Sequence, residues 1–377
     1  MTINPASANI SKSFPQKLRI AAMASLLASL VVGASAYGQE KPMSSNTQQA
    51  NLPHVLLLAT GGTIAGAADS RGSGAYNSGA ISAQQMVSSV AGLGDLAIIS
   101  AEQVASIGSQ DMSDDIWFKL AKRIQQAVND PQTNSVVITH GTDTMEETAF
   151  FLSLVLKTEK PVVLVGSMRP STALGADGPA NIYEAVQVAV DEQSKGRGVL
   201  VVMNDQIDSA RGVTKTHSSS VQTMQSPNLG SQGYVDLGHV RYVKPVLSNQ
   251  TLALPAAAPL PRVDIIYSHS NMDAAQIEHA IADKAKGIIL AGMGDGNTSK
   301  AALAALEKAA SQGIVVVRST RVSKGYVNPN VEVDDTKSGF IASMDLNPQK
   351  ARVLAQLLIA NGITDPKKVQ EAFLNGH

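Results

Sequence analysis

Short apolar runs recur along the chain, and each leads into a small or polar cluster. His54–Ala59 leads into TGGTIAG, Ser135–Thr139 into HGTDT, Pro161–Val165 into GSMRPST and Val199–Met203 into NDQIDSAR. Runs of this length, apolar at consecutive positions, predict strands buried on both faces of a parallel sheet. Helical spacing fills the gaps. Between Ser113 and Asn129, Ile116, Leu120, Ile124 and Val128 recur every four residues, and Asp114 and Asp115 favour the helix start. Thr144 and Glu147 form a capping-box pattern ahead of an apolar stretch to Leu156, and Asp177–Glu192 is a third helical stretch. Strands alternating with helices predict a larger N-terminal α/β domain over residues 51–246, doubly wound about a mostly parallel sheet.

Residues 247–262 read LSNQTLALPAAAPLPR, where three prolines and no regular period predict a linker. A smaller C-terminal α/β domain is expected over residues 263–377. Its strands are Val263–Tyr267, Gly287–Ala291 and Gly313–Arg318, and its helices include Ala274–Lys286 and Ser299–Ser311. Asn347-Pro348 predicts another helix start, with the asparagine as cap and the proline at the first position.

The beginning of the chain has a different order. Lys12, Lys17 and Arg19 precede a 13-residue apolar run, Ile20–Val32, then Ala34-Ser35-Ala36, and the first acidic residue is Glu40. This order predicts a signal peptide over residues 1–36. A bilayer span takes about 20 residues, so a permanent anchor is disfavoured. The expected product is periplasmic, or secreted where no outer membrane exists, with no membrane contact after cleavage. Residues 37–50 are polar and read as a mobile lead-in.

Composition narrows the chemistry. Of 377 residues, 44 % are apolar and 16 % charged, which excludes a disordered chain. Net charge is −1; removing residues 1–36 leaves 27 basic against 31 acidic residues, or −4. No basic surplus exists for a nucleic-acid partner. The absence of cysteine removes thiol catalysis, disulfides, iron–sulfur clusters and cysteine zinc sites. None of the seven histidines falls at a recognised metal-ligand spacing, so no metal is expected. No GxSxG occurs, which weakens an α/β-hydrolase reading.

Ligands bind beyond the carboxyl ends of parallel strands, and there this chain concentrates threonine, serine, aspartate and glycine. In Thr60–Gly66, Thr63 offers a hydroxyl nucleophile on a glycine-permitted turn. The following stretch holds Gly72, Gly74, Tyr76 and Gly79, as a hinged lid would. A phosphate-binding turn is the alternative, but neither the Lys-Ser/Thr ending of a P-loop nor the dinucleotide spacing is present. In His140–Thr144, Thr142 can accept or pass a proton and Asp143 can bind a cation, whereas Thr144 reads as a helix cap. Ser109-Gln110-Asp111 lies in a loop before a helix, with Asp111 read as a cap. Lys215, in VTKT, is either a solvated charge or a buried lysine with a lowered pKa that serves as a base.

TGGTIAG and HGTDTMEET together are more specific than either. With IGSQDM, VGSMRPSTALGADGP, GVLVVMNDQI, VTKT, EVDDTKSGF and LNPQKARVL in the same order, the chain resembles the bacterial L-asparaginase family over nearly all of residues 52–377. With an export signal it resembles the periplasmic type II class, which includes enzymes that also hydrolyse glutamine. The resemblance implies an amidohydrolase that converts L-asparagine to L-aspartate and ammonia through a threonine acyl-enzyme, with no cofactor. It implies that Thr63 is the nucleophile, with Tyr76 as partner, and that Thr142, Asp143 and Lys215 form a second catalytic group. Ser109 and Gln110 match residues that hold the substrate's α-carboxylate and α-amino groups, with Thr142 and Asp143 beside them. Ser167 matches a position whose backbone meets the amide. Asn297 and Glu332 match residues donated by a neighbouring subunit, in a homotetramer built as a dimer of dimers.

Alternatives stay open at this point. Thr142 is the nucleophile in the opposite assignment. Glutamine is an equal or main substrate in a glutaminase-asparaginase. An exported amino-acid-binding protein without catalysis, or a nucleotide-dependent enzyme built on the Gly61–Gly66 turn, are readings of other classes. Three positions depart from the family pattern. Asp295 stands where asparagine is frequent, Ser299 where asparagine-selective members often carry tyrosine, and Gly175 where serine is frequent. A small Ser299 is expected to leave room for glutamine.

Overall fold

The structure, a computed structural model, describes residues 52–69, 76–246 and 250–375. The expected signal peptide, the polar lead-in and the lid glycines Gly72 and Gly74 lie outside the described residues. Among the described residues, no helix is long and apolar enough to cross a membrane.

The larger sheet begins with β1 (His54–Gly61). A two-residue antiparallel pair, β2 (Ala67–Ala68) and β3 (Tyr76–Asn77), stands outside it. The sheet continues with β4 (Ile98–Ile107), β5 (Ser135–Thr139), β6 (Val162–Val165) and β7 (Val199–Met203). Next come β8 (Gln206–Ser209), the separate pair β9 (Thr214–Lys215) and β10 (Met224–Gln225), and then β11 (Gly233–Asp236) and β12 (His239–Tyr242). The order is β12-β11-β8-β7-β6-β5-β1-β4, parallel from β4 to β7 and antiparallel beyond.

Alternation sorts the strand residues between two cores. Leu57, Val137, Val163 and Leu200 stand in register across the sheet and face the helices Ala83–Ser89 and Gly178–Val190. Leu58, Ile138, Leu164 and Val201 face the opposite side, against the helices Asp114–Asn129 and Met145–Val155. Because both faces are covered, apolar residues are required at consecutive positions.

The smaller sheet is β13 (Val263–Tyr267), β14 (Gly287–Gly292), β15 (Val315–Thr320) and β16 (Phe340–Ala342), parallel and in chain order. Ile288, Leu290 and Val316 pack under the helices Ala275–Ala282 and Lys300–Ser311. Ile289, Val317 and Ile341 point the other way, toward the helix Pro348–Ala360. That helix also packs on Met145–Val155, so one apolar cluster runs through both domains.

Several expectations change on contact with the structure. Thr144 occupies the cap position of Met145–Val155, but its hydroxyl makes no cap bond. It donates instead to the carbonyl of Ser109 at 2.8 Å, a partner in another loop. Asp111 closes a short 3-10 turn, and Ser113 caps the following helix by accepting from the Ile116 N–H. Asn347 does cap its helix, through Lys350 N–H at 3.1 Å. Residues 250–262 carry no helix or strand, yet they are fastened down. Leu252 and Leu260 are buried, and the Leu260 N–H donates to Asp114 Oδ2 at 2.8 Å.

From β1 the chain passes to β4 on one side of it, and then to β5 on the other. This is a topological switch point, and the carboxyl ends of β1 and β5 open a crevice there.

Candidate active site

Three loops meet in that crevice, because glycines let their backbones touch. Gly62 has φ 81° and ψ −174°, a region essentially restricted to glycine. A Cβ on Gly62 would stand 2.4 Å from the backbone N and Cα of Gly141, and one on Gly141 would stand 2.6 Å from Ser109 Oγ. The Thr60 hydroxyl donates to the Thr139 carbonyl at 2.9 Å and ties the ends of β1 and β5 together.

Two hydroxyls, each with its own partner, face the resulting cavity. Thr63 Oγ1 lies 2.8 Å from Tyr76 Oη. Tyr76 opens β3, whose pairing with β2 returns it over the Thr63 turn. On the opposite side, Lys215 Nζ donates to Thr142 Oγ1 at 2.9 Å and to Asp143 Oδ1 at 2.6 Å. Thr142 in turn donates to Met168 Sδ at 3.3 Å, so its proton rests on a weak acceptor. Ser109 is buried and accepts from the Asp143 N–H at 3.2 Å. The cavity holds about 270 Å³, with Gln110, Ser78 and Ser218 also in its lining. Its walls are nearly all polar, which suits a small molecule carrying several charges.

Behind it stands a buried relay. Trp117 Nε1–H donates to Thr148 Oγ1 at 2.8 Å, and the Thr148 hydroxyl lies 2.9 Å from His140 Nε2. His140 Nδ1 lies 2.7 Å from the Gly141 carbonyl. The chain is satisfied when Nδ1 carries the proton and Nε2 accepts. Burial pushes the His140 imidazole down to about 4, against the pull of the Gly141 carbonyl, so it is neutral at pH 7.

Some of the expected residues lie elsewhere. Ser167 is buried, with its hydroxyl donating to the Arg169 carbonyl at 2.8 Å, and its neighbour Met168 lines the cavity. Asn297 and Glu332 are absent from this chain's cavity lining. They stand beyond the strand ends of the smaller sheet, paired at 2.5 Å, with Glu332 exposed. The three departures from the family pattern each have a local task. Asp295 accepts from the Asn328 N–H at 2.8 Å. Ser299 caps the helix Lys300–Ser311 and donates to the Met272 carbonyl at 2.7 Å. The Gly175 carbonyl accepts from Arg169 Nη1 at 2.7 Å.

Other supports were not singled out from sequence. Asp177 accepts from the Met168 and Arg169 N–H groups, both at 2.9 Å, and so shapes the loop after β6. Asn181 adds a bond to the Gly166 carbonyl at 2.9 Å. An aspartate at a helix start carries no sign that its oxygens face another loop. Among the described residues, no group of three or more histidines and acids is arranged to hold a metal ion.

A switch-point cavity with two partnered hydroxyls is that of an α/β enzyme. Residues 54–247 match the family model "Asparaginase, N-terminal", and residues 262–373 match "Glutaminase/Asparaginase C-terminal domain"; the chain belongs to the asparaginase family. It is 49 % identical over 328 residues to a probable periplasmic L-asparaginase of Haemophilus influenzae, covering 86 % of this chain and 93 % of that protein. L-asparaginase 2 of Escherichia coli is 46 % identical over 326 residues, covering 85 % and 93 %. The crystal structure of a probable cytoplasmic L-asparaginase from Campylobacter jejuni superposes with a TM-score of 0.79 at 45 % identity, covering 85 % and 99 %.

Proposed function

We propose that this protein hydrolyses L-asparagine to L-aspartate and ammonia through an ester on Thr63. The observation that carries this reading is the pair of hydroxyls on one small polar cavity: Thr63 with Tyr76, and Thr142 with Lys215 and Asp143. An amide is a poor electrophile and a neutral hydroxyl a weak nucleophile, so both need help. Thr63 Oγ1 attacks the side-chain carbonyl carbon while Tyr76 Oη relays its proton to the leaving nitrogen. The C–N bond breaks, ammonia departs, and the aspartyl group stays on Thr63. Water then attacks the ester, giving its proton to Thr142 Oγ1 as Thr142 passes its own to Lys215 Nζ, which serves as the neutral amine beside Asp143; the proton returns by the same path to Thr63 Oγ1 as the ester C–O bond breaks. Backbone N–H groups beside Thr63 and Thr142 hold the oxyanion, where losing one donor typically costs on the order of 10²–10³ in turnover. Ser109 and Gln110 grip the α-carboxylate and α-amino groups, the Ser167 backbone meets the amide, and Asp143 pairs with the substrate ammonium.

Glutamine is the second reading, favoured by the description of the C-terminal family match. A methylene is worth only about 1–3 kcal/mol in a pocket, so both amides are expected to react. Ammonia release by the purified chain, compared as kcat/KM for asparagine and glutamine, tests both readings. An inert parent, or a Thr63→Ala variant with parental turnover, defeats the assignment.

The assembly proposed is a homotetramer, a dimer of dimers, in which Asn297 and Glu332 complete a neighbour's site. Mixing inactive Thr63→Ala and Glu332→Ala subunits is then expected to restore activity, and no recovery after verified exchange counts against a shared site. A periplasmic location, with residues 1–36 removed, is supported by the start of the chain and by the name of the Haemophilus relative. The domain limits proposed are residues 51–246 and 263–377, with 247–262 between them.

A further inference from the structure

Lys350 lies in the first turn of the helix Pro348–Ala360, in the smaller domain, and is 2 % exposed. Its ammonium donates to the carbonyl of Arg211 at 2.8 Å and to that of Val213. Two residues beyond Val213 stands Lys215, whose Nζ bridges Thr142 and Asp143. The same helix start grips the other half of this contact. Asn347 Nδ2 donates to Thr214 Oγ1 at 3.3 Å and to Glu146 Oε2 at 3.2 Å, and Gln349 Nε2 donates to Glu146 Oε1 at 2.5 Å. Glu146 is buried, three residues after Asp143. One helix terminus of the smaller domain therefore holds both main-chain segments whose side chains meet as Lys215, Thr142 and Asp143.

A buried ammonium is an expensive way to fill space. Apolar groups of similar volume replace buried charges with little loss of stability, or with a gain. Here burial disfavours the charged form of Lys350, partly offset by Glu146 and Asp345, while Arg211 repels it and Asp208 attracts it. The side chain buried under that penalty is aimed at two carbonyls of the segment that leads to Lys215.

We propose that Lys350 is a positioning residue, fixing the Arg211–Lys215 backbone so that Lys215 reaches Thr142 and Asp143 together. The inference rests on the reading above, in which Lys215 acts when the ester is hydrolysed. Displacing a reacting group by about 1 Å can cost on the order of 10²-fold. In Lys350→Met, ester hydrolysis is expected to slow by roughly 10–100-fold while ester formation keeps its rate. The kinetic signature is a fall in both kcat and KM at constant kcat/KM, with a burst of one ammonia per site. A merely structural role would lower the thermal transition without separating the two steps.

A folded Lys350→Met variant with parental kcat overturns the proposal. So does a loss of kcat/KM in step with kcat, without a burst. If Lys350→Met does not fold, Asn347→Ser decides: it keeps a capping hydroxyl and removes the donations to Thr214 and Glu146. Its kcat is expected to fall about 3–10-fold at constant kcat/KM, and parental kcat overturns the proposal. An inert parent, or a Lys215→Met variant with parental turnover, defeats the reading of Lys215 itself and the inference with it.

Discussion

Replacing Gly62 by alanine probes the contact on which the two-hydroxyl site is built. Two costs arise, and they differ in kind. The first is conformational: alanine at φ 81°, ψ −174° costs on the order of 1–3 kcal/mol. The second is steric. The new Cβ would lie 2.4 Å from Gly141 N and Cα, and ordinary contact begins at 3.4 Å, so the loops must separate by about 1 Å. The obstacle is backbone, which has no rotamer to swing away. Overpacking of this kind costs roughly 1–3 kcal/mol, so the total loss of stability is about 2–6 kcal/mol. The opening moves Thr63 away from the Ser109 and Asp143 side of the cavity that grips the substrate, so ester formation slows, and at about 1 Å a loss on the order of 10²-fold in kcat/KM follows. Steady-state ammonia release and a guanidinium melt on the same preparation measure both effects. A variant with parental stability and kcat/KM within threefold would refute the close approach of the two loops and the alignment it enforces.

Two further predictions concern titration and capping. His140 is neutral when folded, with its pKa pushed down to about 4 by burial, whereas an unfolded histidine takes up a proton near 6.5. The unfolded state thus binds more protons between pH 6.5 and 4, and stability falls as pH drops through that window, by on the order of 3 kcal/mol. Burial raises Glu184 to about 7, and raises Asp208 and Glu147; these carboxyls act in the opposite sense, gaining stability as pH falls. Unfolding of the parent and of His140→Gln at pH 7 and pH 4, at one protein concentration, isolates the histidine; equal losses would contradict its neutral burial. Ser299→Ala removes a helix cap and is expected to lower stability by about 1 kcal/mol; an unchanged melting curve would deny that role.

What the sequence discloses depends on how each element is buried. β1, β5, β6 and β7 are legible because both their faces are covered, which demands unbroken apolar runs. β4 was missed because it is the edge strand: its residues alternate between half-buried and exposed, and Ser100, Glu102 and Gln103 dilute the pattern. The antiparallel extension through β8, β11 and β12 hid for a related reason, with strands of four residues and no helices between them. Polar residues at helix starts hide their roles where their partners lie in other loops. Thr144 looks like a cap until Ser109 is seen beside it, and Asp177 binds the loop carrying Met168. Lys215 and Thr142 are 73 residues apart, and no periodicity announces their contact. Lys350 was invisible as anything but a charged residue in a helix, since only the fold shows that Arg211 and Val213 surround it.

In a covalent reaction of this kind the acyl group passes through Thr63. Rapid acid quench of the parent during asparagine turnover, followed by peptide mapping by mass spectrometry, tests it directly. The expected result is an aspartyl ester on Thr63 that accumulates further in Lys215→Met. An ester found on Thr142 alone, or turnover with no ester in either protein, would contradict the account.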